Sequence, residues 1–243
     1  FFRFFLNHGL LSVNNRPQWH VIKGGSNSYV KKLISDFRHK VRTGSPVEKI
    51  VRYNDHVELH SRKHGIESFD YVFIASHSDQ ALRMLQQPSP LETATLSAIE
   101  YQKNEAVLHT DTSLLPVRKK AWASWNYHIP EQERSLVALT YNMNILQGLQ
   151  SDNTYCVTLN YSDQIDPQKI IKTIEYDHPV FTPESISAQQ NHRLINGTDR
   201  TYYCGAYWHN GFHEDGVVSA LNALSHFKED TGNEEKLSLR WAS

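Results

Sequence analysis

Residues 202–227 read YYCGAYWHNGFHEDGVVSALNALSHF, with glycines at 205, 211 and 216 set among aromatic residues just before an alanine- and leucine-rich run. The spacing predicts a short strand over RTYYCGAY ending at Gly205 and a loop carrying Gly211 and Gly216. A helix over VVSALNALSHF follows, with Val218, Leu221, Leu224 and Ser225 on one face. A strand, a glycine-bearing loop and a helix N-terminus together turn backbone N–H groups and the positive end of a helix dipole toward an anionic or electron-rich ligand. The same residues also make an ordinary surface helix capped by Asp215.

Upstream, FFRFFLNHGLL has the pattern of a helix end stopped by Gly9. QWHVIKGGSNSYVKKLISDF predicts a short strand, a Gly24-Gly25 turn and a helix whose Tyr29, Leu33 and Phe37 share a face. Two alternating strands joined at Asn54-Asp55 come next, then a turn at His64-Gly65 and an unbroken apolar strand from Tyr71 to Ala75. Alternation marks a sheet with one wet face, and an unbroken run marks a strand buried on both sides. Helical spacing over 77–86 turns Ala81, Leu82 and Leu85 inward. Four runs rich in Tyr, Trp and Thr (AVLHTDTSLL, AWASWNYHI, SLVALTYNM, TYCVTLNYS) predict an antiparallel sheet. DPQKIIKTIEY and TPESISAQQNHRLI have the look of helical pieces, opened by Asp166 before Pro167 and Thr182 before Pro183. The polar tail after Lys228 is expected to fray.

The chain has 243 residues, 39% of them hydrophobic, enough for one large domain or two interleaved ones. Its 25 basic and 26 acidic residues leave a net charge of -1, which gives no electrostatic footprint for nucleic acid. Cys156 and Cys204 stand far apart with no CxxC context, as expected of a reduced, cytoplasmic compartment. No apolar run approaches the roughly 18 residues that would span a bilayer; peripheral membrane contact stays open. The first residues lack the charged n-region and cleavage site of a signal peptide, and there is no initiator Met, so the chain is expected to begin inside something longer.

Taken in order, NHGLLSVNNRPQW, GGS, EYQKNEAVLHTD, AWASWNYH, TYNMNILQGL, YDHPVFTP and CGAYW with GFHEDGVVSAL resemble the flavin-containing amine oxidase superfamily, in particular a bacterial group of FAD-dependent oxidoreductases. The resemblance reaches to about residue 227. It implies an α/β (α+β) chain: an FAD-linked oxidoreductase fold of p-hydroxybenzoate-hydroxylase-like topology, incomplete at the N-terminus, with an antiparallel-sheet substrate domain. The divisions it implies are 1–15 as the end of a substrate-domain helix and 16–87 as part of the FAD-binding domain. Then come 88–197 as the substrate domain, 198–230 as the C-terminal FAD motif and helix, and 231–243 as a tail. The implied cofactor is FAD, and no metal. Val47 in SPVEKI would pair its backbone with the adenine, and Ala75 and Ser76 in FDYVFIASHS would lie by the AMP portion. Gly205, Ala206, Tyr207, Phe212, Asp215, Gly216 and Val217 would follow the ribityl chain and pyrophosphate to the flavin N1–C2=O edge. Reduction by hydride leaves negative charge at that edge, and a helix N-terminus stabilises it.

The chain departs from the family pattern at three places. The GxGxxG fingerprint is missing, since KGGSNS lacks its spacing. Tyr207 stands where many amine oxidases have an acid, and Asn104 or Glu105 where many have a lysine beneath flavin N5, which turns the expectation away from amine chemistry. Trp122, Trp125, Tyr127 and Tyr141 alternate on strand-like runs, either as sheet packing or, with Phe212, as the apolar wall of a substrate pocket. The expected function is hydride transfer from a C–N or C–C bond of a hydrophobic small molecule to FAD. No catalytic residue is assigned, because the cofactor carries the chemistry. The alternative is a non-catalytic binding module or remnant. His209, His213, Glu214 and Asp215, or His109 and Asp111, offer metal-ligand types but match no zinc spacing. Ser76, His77 and Asp79 are too close in sequence to converge as a triad, and the sequons at Asn160 and Asn196 have no use in the cytoplasm.

Overall fold

A computed structural model describes residues 11, 12, 14, 20–130 and 134–232. The expected helix end before Gly9 and the tail from 233 onward lie outside the described residues, as do Gln18 and Trp19, whereas residues 229–231, expected to fray, continue the last helix. In chain order the elements are α1 (Ser26–Leu33), β1 (Val47–Arg52), β2 (Val57–Ser61), β3 (Gly65–Phe69), β4 (Val72–Ile74), α2 (Ser78–Met84) and α3 (Pro90–Ser97). They continue with β5 (Tyr101–His109), β6 (Trp125–Tyr127), β7 (Leu139–Asn142), α4 (Met143–Gln147), β8 (Cys156–Leu159) and β9 (Ile170–Pro179). The last are α5 (Pro183–Gln189), α6 (His192–Ile195), β10 (Thr201–Tyr203) and α7 (His213–Thr231). The chain divides into two compact units, Phe1–Glu100 with Pro179–Ser243, and Tyr101–His178.

In the first unit the alternating runs form the antiparallel sheet β1-β2-β3, with the turns where the sequence places them. Ile50 and Val57 are buried, and Leu85 after α2 bridges to Ile50. Ala81, Leu85, Leu96 and Ile99 are buried where α2 and α3 meet, together with the polar side chains of Ser78, Glu92 and Thr95. Ser89 and Glu92 close a capping box around Pro90 at the start of α3.

Three expectations fail here. Residues 20–22 form no strand, since Gly24 and Gly25, both at positive φ, close a turn in which the Gly25 N–H bonds Ile22 O. The face of Tyr29, Leu33 and Phe37 is not buried: α1 stops at Leu33, and Phe37 falls on a separate 3-10 run, Ser35–Lys40. The run Tyr71–Ala75 is buried on one side only; Val72 and Ile74 face in while Phe73 is exposed, and among the described residues β4 pairs with β10 alone.

The second unit carries the predicted antiparallel sheet, in the order β6-β7-β8-β5-β9. DPQKIIKTIEY is not helical. Asp166 caps only the 3-10 turn Pro167–Lys169, after which Ile170, Ile171, Thr173 and Ile174 extend as β9; β-branched side chains are stiff in a helix and pack well on a pleated surface. Cross-strand register puts Trp125 beside Tyr141 and Val157, and Tyr127 beside Leu139 and Leu159, all on one face. The opposite face is buried and largely polar, with Asn126, Thr140 and Thr158 in one row and Asn142, Cys156 and His109 in the next.

Candidate functional site

β10 runs parallel to β4, pairing Thr201 with Val72 and Tyr203 with Ile74, and Cys204 N–H extends the ladder to Ile74 O at 3.0 Å. Both strands therefore open at the same end, β4 into Ala75 and Ser76 and β10 into Gly205. The C-terminal ends of parallel strands are where ligands bind in open α/β sheets. Ala75 is exposed, Ser76 is half-buried, and the Ser76 hydroxyl donates to the His77 carbonyl at 3.3 Å rather than to an imidazole.

After Gly205 the chain makes a 3-10 turn, Ala206–Trp208, and the Gln189 amide fixes it by donating to Tyr207 O and His209 O at 2.8 and 2.7 Å. A Cβ on Gly205 would run into the Tyr207 ring, so only glycine fits above that side chain. Tyr207 is itself 5% exposed and packs on Trp208. It is the floor of the turn, with Gly205 directly over its ring. Gly211, at φ 90°, reverses the chain into α7.

α7 begins at His213, two residues before Asp215, which makes the predicted N-cap wrong: Phe212 holds that position and supplies no side-chain hydrogen bond. Asp215, at the third position of the helix, accepts from Phe212 N–H at 2.8 Å and Asn210 N–H at 3.2 Å, so its carboxylate reaches back to the N-cap backbone and orders the loop from inside the first turn. Gly216 belongs to the helix and not to the loop. A Cβ there would meet the Ala206 Cβ and N at 3.9 Å, an ordinary contact. The predicted inward face is also displaced, since Ser219 and Ala223 are buried, whereas of the predicted residues Leu221 and Ser225 are exposed and Val218 and Leu224 only half-buried. The small side chains allow close packing of the helix on the strand end, where Ser219 Oγ accepts from Gly205 N–H at 2.8 Å and donates to Gly216 O at 3.0 Å.

Val47 opens β1, where a bulge between Val47 and Lys49 interrupts the ladder, and lines a cavity of about 500 Å³ with Leu59, Phe69, Lys40, Arg42 and His64. In the second unit Trp125 and Tyr141 meet edge to face at 5.9 Å, and Tyr127 is exposed on the same sheet face. Trp122 lies off the sheet, its indole N–H donating to Pro116 O at 2.8 Å. Phe212 belongs to the first unit.

Other candidates are already occupied. His109 Nδ1 accepts from Asp111 N–H, and the Asp111 carboxylate takes the N–H groups of Ser113 and Asp166 and the Lys169 ammonium. Burial raises the Asp111 pKa, but those donors outweigh it and hold the carboxyl far below its usual range. Among the described residues no three His, Cys, Asp or Glu side chains converge on a metal position. Asn160 Nδ2 donates to Asn104 and to Val137 O, and Asn196, 3% exposed, bonds Tyr203 N–H and His192 O, so both sequon amides are engaged within the fold. Two networks were missed in the sequence, Glu92 with Arg52 and Tyr203, and His109 with Thr158, Thr140 and His128. The S-x-x-E spacing of Ser89 and Glu92 was the available signal for the first.

Parallel strands opening onto a glycine turn and a helix N-terminus, in a chain with an antiparallel-sheet unit, give the fold of FAD-dependent oxidoreductases. The CLA-producing fatty acid isomerase from P. acnes is similar at TM-score 0.61 and 14% identity, over 84% of this chain and 52% of that one. The cyclohexylamine oxidase from Brevibacterium oxydans IH-35A is similar at TM-score 0.56 and 13% identity, over 84% and 53%. A putrescine oxidase variant is similar at TM-score 0.57 and 10% identity, over 85% and 53%. The chain thus spans about half the length of these structures. No curated protein matches by sequence. The family model for flavin containing amine oxidoreductases matches residues 3–123, just under half of the chain, and together with these folds it supports the flavin-containing amine oxidase superfamily. No helix among the described residues is long and apolar enough to cross a membrane.

Proposed function

We propose that this chain acts in an FAD-dependent oxidoreductase that takes a hydride from a C–N or C–C bond of a hydrophobic small molecule, in the cytoplasm. The observation that carries the proposal is the start of α7. The helix starts beside the open ends of two parallel strands, and its N-cap is a phenylalanine, which carries no oxygen to cap the first turn. Such a terminus suits the electron-rich edge of a flavin. Gly205, Ala206, Tyr207, Phe212, Asp215, Gly216 and Val217 would shape this end of the cofactor site, with Ala75, Ser76 and Val47 along the rest. FAD, when bound, supplies the hydride acceptor, and the chain's amides favour the negative charge that reduction leaves there.

For the substrate, the face of Trp125, Tyr127, Leu139, Tyr141, Val157 and Leu159 offers a broad apolar wall. The fatty acid isomerase and cyclohexylamine oxidase folds are consistent with apolar ligands. Burying ten methylenes contributes about 8 kcal/mol, whereas a cation–π contact to an amine adds roughly 0.5–2, so chain length should dominate affinity.

Titration with FAD, followed by flavin fluorescence, tests the cofactor site. Gly216→Ala, whose methyl fits against Ala206, keeps the native affinity. Gly216→Val, whose branched side chain does not, weakens it about tenfold, near 1.4 kcal/mol. Equal affinity of the native and valine chains would overturn the assignment. A chain that leaves FAD fluorescence unchanged at every concentration supports the non-catalytic binding module instead.

A further inference from the structure

On the buried face of the second unit, four side chains form a hydrogen-bond chain across three strands and the residue following β6. His109 Nε2 lies 2.7 Å from Thr158 Oγ1, Thr158 Oγ1 lies 2.7 Å from Thr140 Oγ1, and Thr140 Oγ1 lies 2.8 Å from His128 Nε2. His109 and both threonines are fully buried. The chain has one direction. Asp111 N–H donates to His109 Nδ1, so the neutral ring carries its proton on Nε2 and gives it to Thr158. Thr158 has one proton, which goes to Thr140, and the Thr140 proton goes to His128 Nε2. His128 is thereby fixed as the Nδ1–H tautomer.

A second proton on His128 cannot be absorbed by this arrangement. The imidazolium would donate to Thr140 and Thr140 to Thr158. Thr158 would then accept from both sides, and its own O–H would be left buried with no acceptor, which native interiors avoid. We propose that the four residues are an acid-released latch that holds the end of β6 to β7 and β8 only while His128 is neutral. β6 is the three-residue edge strand of its sheet, and the His128 N–H bonds Ala138 O at 3.0 Å just beyond it. Asn126 ties the start of β6 to Ala123 and Thr140 through an amide that does not titrate, so release is confined to Tyr127 and His128.

The described groups around the chain do not favour the charged ring. His128 packs on Tyr161, whose ring lies under the Arg134 guanidinium, and Arg134 is paired with Asp163. Around His109, Asp111 is paired with Lys169, which also lies 3.9 Å from Asp166, and burial pushes the Cys156 thiol up to about 11. Burial lowers the pKa of both histidines. The latch rests on the proposed apolar wall only for its consequence, the loss of ligand binding in acid as Tyr127 is freed.

NMR on the full chain tests it. At neutral pH the rings should read as Nε2–H at His109 and Nδ1–H at His128. On acidification His128 titrates below the ordinary imidazole range near 6.5, and the exchange of its amide quickens in step. Thr158→Val removes the stranded hydroxyl, so His128 titrates higher than in the native chain, and Thr158→Ser restores the native behaviour. An Nε2–H tautomer at His128 in the neutral native chain overturns the latch even if the valine variant does not fold. A His128 titration without faster amide exchange also overturns it, as does an unchanged titration in a folded Thr158→Val chain. Oleate binding is measured separately: failure to bind at any pH, with the tautomers as stated, removes the wall and leaves the latch standing.

Discussion

Glu92 has a fully buried side chain and accepts from Arg52 at 2.5 and 3.0 Å, from the Tyr203 hydroxyl at 2.5 Å and from Ser89 N–H at 2.7 Å. Burial alone would raise its pKa, but these donors outweigh burial and hold it below the usual glutamate value, while burial and the neighbouring carboxylate push the Tyr203 hydroxyl up. Removing one partner of such a pair leaves a buried charge uncompensated, so Arg52→Met is expected to cost about 3–5 kcal/mol in urea denaturation. Because the folded pKa of Glu92 is depressed, its contribution is complete above the ordinary glutamate pKa near 4.3 and fades as pH falls through the folded value. Denaturation midpoints of native and Glu92→Gln chains should therefore converge in acid. This network was illegible in the sequence because Arg52, Glu92 and Tyr203 are brought together only by the fold, although the Ser89 to Glu92 spacing marked a helix start.

Elements were legible where their cause is local. The β1-β2-β3 turns, the four strand runs of the second unit and the Thr182-Pro183 start of α5 rest on turn residues, alternation and capping, all written in short stretches. Thr182 and Ser185 satisfy each other's backbone N–H groups, so Thr182→Ala is expected to cost about 1 kcal/mol, read as a drop in melting temperature. The misread elements depended on distant partners. The inward face of α7 is set by how closely it approaches Gly205 and not by its largest side chains, hence the burial of Ser219 and Ala223 over Val217 and Leu221. The isoleucines of β9 fit a helical period as readily as a strand, and their place beside β5 decides.

Across the whole molecule, the candidate strand-end site, Phe212 and Tyr207 included, was legible through family resemblance and glycine spacing, whereas the places of Phe212 as N-cap and Tyr207 under Gly205 follow from the fold. No GxGxxG turn occurs in the 243 residues. The pyrophosphate of a dinucleotide ordinarily rests on the helix that follows such a turn, so the chain by itself should bind FAD more weakly than micromolar by fluorescence quenching. Micromolar or tighter binding would mean that α7 and the strand ends suffice to hold the cofactor.

Val180 N–H bonds Glu100 O at 2.8 Å, so the chain leaves for the second unit and returns from it at one spot. Residues 101–178 are in effect a module spliced into a loop, with adjacent ends. β4 and β10 must find each other across the entire excursion, and the entropy of closing so long a loop falls if the module folds first. The order of synthesis is consistent with this, since residues 101–178 are complete before β10 exists. Excising them and joining Glu100 to Pro179 through a short glycine linker should leave a first unit that still pairs β4 with β10, and does so faster, in stopped-flow refolding.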